Sequence, residues 1–532
     1  MNRKSIRLGK WLTLIGMSVF LSSCTYLKYS SIQAEYNKIQ RADPSQVNVK
    51  HMINRDTFFA FGKSIDTAKR YVNHTLAIAA YSNKFKQHER VDTMFFKGTG
   101  KHYGLTLPEG EYTFLLYADV NNDLVLQQSE VVANKKVVID TQHYPEKIAK
   151  NIDIELGSPF LVSWAENVSV PPLVERSASL YYPQGTIRSL DDPIFDEAIA
   201  TMGMYDPASF LEYAPTMFYA LEEDIAYKIP VIFVHGIGGS TRSFQSIIAQ
   251  LDPEKFKPWF FYYPSGGDLD QLADFFYNLF LSGDLIPIDQ NMSMIVVAHS
   301  MGGLVVREAI NKYKNNNSEN KISLFFSIAT PFGGHPSAES GEKHGLIVLP
   351  AWKDLNPNNE FIHNLYRKPL PDFVNHQLYY GFKNDNTIKL AENSDGVVPL
   401  SSQLYPMAQQ QSSGQFGFNN GHVDILNNEE MISQMATMMN NQKSHFPDSH
   451  LAILAEGGFD VELNDSYSPI TRHIIGYAGK YLVSLVNGVI EPFNSEQEAF
   501  IKELRGNKVP SNLFTREFIR FMTENPELVN PN

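Results

Sequence analysis

From Pro230 onward, five short runs stay apolar without polar alternation: Val231 to Val234, Trp259 to Tyr263, Met294 to Ala298, Leu324 to Ala329 and Leu378 to Phe382. A strand with one wet face alternates apolar and polar residues, whereas one that stays apolar is covered on both faces. Helical patterns at Phe244 to Leu251, Leu269 to Leu281 and Leu304 to Tyr313 separate the runs. That order predicts a mostly parallel sheet flanked by helices and joined by right-handed crossovers, an α/β architecture. Such a sheet needs a large core, and 532 residues with 43% hydrophobic side chains can supply one.

The rest of the chain reads differently. Between Thr57 and Leu156 lie short β-branched, aromatic or alternating stretches, at Thr75 to Tyr81, Val91 to Phe96, Tyr112 to Ala118 and Val137 to Ile139. Pro108-Glu109-Gly110 supplies turn chemistry between them, with proline presetting φ and glycine permitting φ > 0. These stretches suggest a small sandwich-like β unit, with an open sheet as the alternative. Pro171 and Pro172 mark a boundary, and helices are expected from Phe195 to Met202 and from Phe210 to Glu222. The chain after Gln442 is mostly helical in pattern. The expected units are a leader (1–23), a tether (24–50), a β-rich unit (51–165), a connector (166–229), the α/β unit (230–442) and a helical extension (443–532).

The leader carries Arg3, Lys4, Arg7 and Lys10, then an apolar stretch from Trp11 to Leu21, then Ser22 and Ser23. This is the layout of a secretory signal peptide, too short to span a bilayer stably. Leu21-Ser22-Ser23-Cys24 resembles the lipobox of bacterial lipoproteins. The resemblance implies that Cys24 receives a diacylglycerol and becomes the mature N-terminus, anchored by acyl chains such as palmitate. Two or more acyl chains give stable anchoring. Thr25 after the cysteine, by resemblance to Gram-negative sorting patterns, implies the outer membrane and an extracytoplasmic chain. Cys24 is the single cysteine, which excludes an internal disulfide framework and a Cys-rich zinc site. With 45 basic against 58 acidic side chains the formal charge is −13, which argues against a nucleic-acid partner.

The segment Ala298-His299-Ser300-Met301-Gly302-Gly303 directly follows the run Met294 to Val297 and directly precedes a helical pattern. In a nucleophile elbow a serine occupies a strained strand-to-helix turn, and small residues two before and two after it allow close backbone approach. Ser300 is the nucleophile candidate. A second glycine-rich string, His235-Gly236-Ile237-Gly238-Gly239-Ser240, ends an earlier strand. Acyl transfer needs backbone N–H donors for the oxyanion, one from the residue after the nucleophile and one from such a loop. Met301 and Ile237 are the candidates. The G-x-G-x-x-G spacing of a dinucleotide loop is absent from this string.

With these motifs the chain resembles the α/β-hydrolase superfamily of serine esterases and lipases, over about Pro230 to Leu426. Tyr263-Pro264-Ser265-Gly266 and Ala329-Thr330-Pro331-Phe332-Gly333-Gly334 are further family-like strings. The resemblance implies an acyl-enzyme mechanism, no cofactor, and a triad in the order serine, acid, histidine. Ser394-Asp395-Gly396-Val397-Val398-Pro399 matches the acid loop and makes Asp395 the acid candidate, with Asp385 the rival. His422, in Asn420-Gly421-His422-Val423-Asp424, is the base candidate, favoured over His445, His450 and His473 by its loop setting before a helix. His235 and His299 flank the motifs and read as structural.

Two further segments invite a function. Asp119, Asn121, Asp123 and Glu130 have the alternate spacing of a calcium loop, but Leu124 stands where that loop needs glycine. A polar inter-strand turn is the better reading. Residues 334–374 sit where caps are commonly inserted and hold Leu346, Ile347, Val348, Leu349, Trp352 and Phe361. If they cover the site, the acyl-side pocket is apolar. The expected substrate is a carboxylic ester with a lipid-like acyl group, and the rival reading is a binding lipoprotein built on a relic hydrolase fold.

Overall fold

The computed structural model describes residues 31, 57–82, 88–145, 147–170, 179–182, 185–283, 286, 292–344, 348–383 and 393–529. The leader, Cys24, nearly all of the tether, Leu346, Ile347 and Asp385 lie outside the described residues. Among the described residues no helix is long and apolar enough to cross a membrane.

The N-terminal unit is built from β1 (Thr57–Ile65), β2 (Thr75–Ser82), β3 (Glu89–Lys97), β4 (His102–Pro108), β5 (Gly110–Ala118), β6 (Val125–Leu126), β7 (Val131–Ile139), β8 (Ile148–Ala149), β9 (Ile154–Glu155) and β10 (Val168–Ser169). One antiparallel sheet runs β3-β2-β5-β7, and a second runs β4-β1-β8 with β9 also on β1. Phe58, Ala60 and Leu105 from the second sheet share one core with Ile78, Phe114 and Leu116 from the first. The unit is therefore a sandwich, with two sheets face to face.

The proposed calcium ligands form the turn after β5. Asp119 accepts the N–H groups of Asp123 and Leu124, and Glu130 accepts those of Val120, Asn121 and Gln127. Their carboxylates thus satisfy the turn's own backbone, and Leu124 takes φ 61° where a calcium loop places glycine. Among the described residues no group of three His, Cys, Asp or Glu side chains is placed to hold a metal.

The α/β unit contains β11 (Phe218–Ala220), β12 (Ile229–Val234), β13 (Phe256–Phe261), β14 (Ser293–His299), β15 (Lys321–Ile328), β16 (Asn375–Gly381) and β17 (Gly414–Phe418). They form one sheet in the order β11-β13-β12-β14-β15-β16-β17, with only β11 antiparallel to its neighbour. The five expected runs are β12 to β16. The expected helix Phe210 to Glu222 is corrected: helix Pro207–Tyr213 stops, and Phe218–Ala220 becomes the edge strand β11. Pro215 is the physical reason, since it cannot donate within a helix and disfavours helical φ/ψ in the residue before it.

Strand order reverses around β12, whose successors β13 and β14 pair on its two sides. Ligands of open α/β sheets sit at such switch points, beyond the carboxyl ends of the strands. Helices Leu269–Phe276 and Met301–Asn311 are buried against the sheet, and after Gln442 come five helices from Asp448–Leu454 to Pro526–Val529. The architecture is an α/β-hydrolase fold with an N-terminal β-sandwich and a C-terminal helical extension.

Candidate active site

β14 delivers Ser300 to the switch point. The Ser300 backbone has φ 54° and ψ −130°, a conformation that side-chain-bearing residues rarely hold. Its N–H donates to the Ile328 carbonyl at 2.8 Å, and helix Met301–Asn311 begins at the next residue. The small residues beside it are required by contact. A β-carbon on Gly302 would lie 2.5 Å from the His235 carbonyl oxygen, and one on Gly303 would lie 2.1 Å from the Thr330 hydroxyl. Thr330 belongs to the Ala329-Thr330-Pro331 string, so that string packs under the elbow.

The loops after β16 and β17 bring in the other two candidates. Ser300 Oγ donates to His422 Nε2 at 2.9 Å, and His422 Nδ1–H donates to Asp395 Oδ2 at 2.7 Å. Asp395 Oδ1 accepts the N–H groups of Val397 and Val398, at 2.9 and 2.7 Å. Gly396 takes φ 97°, which lets the acid loop fold back on its own carboxylate. The His422 N–H also donates to the Asp395 carbonyl, so acid and base are locked backbone to backbone. The Asp395 side chain is fully buried and that of His422 is 10% exposed.

Two histidines that read as structural do structural work. His299 Nε2–H donates to the His422 carbonyl at 2.9 Å, with the two rings 4.8 Å apart. Burial pushes the His299 imidazole down to about 3, so it stays neutral beside the base. His235 Nδ1–H donates to the Gly236 carbonyl, and its Nε2 accepts the Tyr263 N–H. Burial holds the His235 imidazole at about 4.

The loop after β12 reaches the nucleophile. A β-carbon on Gly236 would lie 2.7 Å from that of Ser300, so this backbone runs against the elbow. Among the described residues neither the Ile237 N–H nor the Met301 N–H has an acceptor. Leu349 of the 334–374 insertion packs with Ile237, with Trp352 and with Met204 and Tyr205 of helix Glu197–Tyr205. The insertion thus reaches the oxyanion loop, while Ala351, Leu355 and Phe361 fill the main core. The helix expected from Phe195 to Met202 is present as Glu197–Tyr205, but its place beside the site is not indicated by its pattern: the Met204 carbonyl packs on Gly266.

The sequence rivals to His422 lie elsewhere. His450 bonds Tyr481 Oη and His473 bonds the Asp224 carbonyl, both in the helical extension. His445 meets Phe446 edge to face and lines a cavity of about 520 Å³ with Lys257, Trp259 and Phe500. That cavity opens by the amino end of β13, roughly 20 Å from Ser300 by strand register.

The family model of lecithin:cholesterol acyltransferase matches residues 265–377. The match includes Ser300 and the insertion and ends before Asp395 and His422. A GPI inositol-deacylase of Candida albicans is 30% identical over 154 residues, 24% of this chain and 38% of that protein. A lysosomal thioesterase PPT2 homolog of Drosophila melanogaster is 26% identical over 125 residues, 22% of this chain and 39% of that protein. The chain therefore spans well under half the length of these curated relatives. Among solved structures, the mature lipase BlEst2 of Bacillus licheniformis is 16% identical, with a TM-score of 0.33, over 42% of this chain and 97% of that one. The family model and the curated relatives are thus named for an acyltransferase, a deacylase and a thioesterase.

Proposed function

We propose that the chain is a serine hydrolase that cleaves carboxylic esters of lipid-like acyl groups through an acyl-enzyme. The observation that carries the reading is the continuous hydrogen-bonded line from Ser300 through His422 to Asp395, set on a strained elbow. Ser300 Oγ attacks the ester carbonyl carbon while His422 Nε2 takes its proton. Asp395 fixes the His422 tautomer and stabilises the imidazolium. The carbonyl oxygen becomes an oxyanion facing the Ile237 and Met301 N–H groups. Collapse breaks the ester C–O bond, and the departing alkoxide leaves as an alcohol with the proton from His422. Water then repeats the sequence on the acyl-enzyme and releases the acid.

The apolar cluster around Leu349, which takes in Ile237, Trp352 and Met204, supports a greasy acyl group. The names of the relatives support acyl chemistry and leave the leaving group open. The acyltransferase family match favours one second reading, in which an alcohol replaces water as the acyl acceptor. A relic binding protein would be expected to have lost one of Ser300, Asp395 and His422, and the chain carries all three residues. We further propose that lipidated Cys24 holds the enzyme at the outer membrane, outside the cytoplasm, as the leader motif implies.

The test is a fluorophosphonate probe on the purified chain, followed by p-nitrophenyl esters of increasing acyl length. Ser300→Ala should abolish labelling and lower turnover by about 10⁴- to 10⁶-fold. Undiminished labelling of Ser300→Ala would remove the reading.

A further inference from the structure

Gly236 to Gly239 form a tight turn: the Gly239 N–H donates to the Gly236 carbonyl at 3.1 Å. Gly238 has φ 65°, whereas Ile237 is not among the residues with positive φ. Negative φ at the second position and positive φ at the third is the pattern of a type II turn. Such a turn competes with the type I form, which differs by a flip of its central peptide. Here that peptide is the Ile237–Gly238 link, directly after the Ile237 N–H assigned to the oxyanion.

One side chain from another loop decides the orientation of this peptide. Ser265 Oγ accepts the Gly238 N–H at 2.9 Å, and Ser265 is only 1% exposed. A flip would turn the Ile237 carbonyl toward the Ser265 oxygen and take the part-buried Gly238 N–H off its acceptor. The loop carrying Ser265 is itself fixed. Tyr263 N–H donates to His235 Nε2, Tyr263 Oη–H donates to the His235 carbonyl, and the two rings stack 4.3 Å apart. On the other side, the Gly266 N–H donates to the Gly203 carbonyl and the Gly266 carbonyl accepts the Ala351 N–H. Ser265 is thus held by β13, the connector helix and the insertion together.

We propose that Ser265 is a positioning residue for the oxyanion hole: by accepting the Gly238 N–H it ties the 236–239 turn to the loop after β13 and so holds the preceding Ile237 N–H in place for the substrate oxygen. The inference rests on the serine-hydrolase reading above and adds to it a residue that touches neither substrate nor triad. It also gives the Tyr263-Pro264-Ser265-Gly266 string a physical task. Ser265 acts on the developing charge alone, because binding of the neutral ester does not need the donor.

The test compares wild type, Ser265→Ala and Ser265→Thr in the full chain, with p-nitrophenyl butyrate and rates normalised to sites titrated by the fluorophosphonate. Loss of one oxyanion donor costs about 10²- to 10³-fold in kcat. Misaiming one should cost roughly 10- to 50-fold for Ser265→Ala, with KM unchanged. The Ki of a trifluoromethyl ketone, which forms a tetrahedral adduct, should rise by the same factor, and the pH profile of kcat/KM should keep its midpoint. Ser265→Thr, which retains the hydroxyl, should recover activity; should its extra methyl not fit, the ketone measurement on Ser265→Ala still decides. Normalised kcat within two-fold of wild type in Ser265→Ala, or a KM change with the ketone unaffected, would overturn the inference. A Ser300→Ala variant that still turns over would instead overturn the reading beneath it.

Discussion

Ser300 holds a backbone conformation that costs of order 1–3 kcal/mol, and its neighbours are shaped to keep it there. Gly302 and Gly303 admit the His235 carbonyl and Thr330 so closely that any side chain would displace them. That is why the elbow was legible in the sequence: its small residues are dictated by steric contact, and its place between strand and helix is dictated by hydropathy. Asp395 was legible for a related reason, since Gly396 marks the turn that returns Val397 and Val398 N–H groups to the carboxylate. His422 emerged only by elimination, because a loop histidine has no periodicity. The task of Ser265 is not legible in its string, since its bond crosses from one strand end to another. The assignment of the acid is open to a direct check. Asp395→Asn should lower kcat by about 10⁴-fold with little change in melting temperature, the asparagine favouring the wrong His422 tautomer. Asp385→Asn should lose little. An inactive Asp385→Asn beside an active Asp395→Asn would reassign the acid and leave Ser300 and His422 in place.

Elements were legible where burial is symmetrical and obscure where it is not. Strands β12 to β16 lie inside the sheet, so their residues are apolar on both faces and announce themselves. The edge strands β11 and β17 did not. β17 reads Gly-Gln-Phe-Gly-Phe, with weak strand propensity, and Gly417 is small because the Tyr380 ring lies over it. The insertion shows how one element is tied to another. Asp354, at the end of helix Pro350–Asp354, accepts the Leu269 N–H at the start of helix Leu269–Phe276, at 2.8 Å. Burial, with Asp268 and Asp270 nearby and Lys147 opposing them, pushes the Asp354 carboxyl up to about 7. A carboxyl whose folded value is raised favours the fold fully only below its unfolded value near 3.8, and that contribution is lost as pH rises through about 7. Asp354→Asn keeps the acceptor oxygen and removes the titration. In urea unfolding, the stability difference between variant and parent should therefore move in the variant's favour from pH 5 to pH 8. A difference that stays flat over that range would show that Asp354 is ionised throughout.

Across the whole molecule, strands β1 and β8 of the sandwich's second sheet join two cores. Along β1, Phe58 and Ala60 face the sandwich interior, while Phe59 and Phe61 face the other way and pack on the core of the α/β unit. Phe59 meets Phe275 edge to face at 5.1 Å. The run Phe58-Phe59-Ala60-Phe61 is therefore apolar on both faces although its sheet belongs to a sandwich. Sequence hydropathy recorded the burial, but which partner covers the outer face depends on a contact more than 200 residues along the chain. The helical extension is joined in the same long-range way, through His473 Nε2–H and the Asp224 carbonyl. In the sequence, the lipobox-like Leu21-Ser22-Ser23-Cys24 lies more than 270 residues from the candidate nucleophile Ser300, so the proposed anchor and the proposed catalytic residues are separate segments of the chain. The lipobox reading makes that separation measurable. A thiol that carries a diacylglycerol must be present before the leader can be removed at it, and two or more acyl chains then hold the protein to a bilayer. Cys24→Ser should leave an uncleaved precursor or release the protein from the membrane fraction. Detergent-extracted wild type and the variant should hydrolyse the same p-nitrophenyl ester with kcat within about two-fold, because loss of the anchor removes only sequence-independent membrane binding. Mass spectrometry of the wild-type N-terminus should find Cys24 as the first residue, carrying the mass of its acyl chains. A mature chain that begins elsewhere and bears no lipid would refute the anchor and leave the triad untouched.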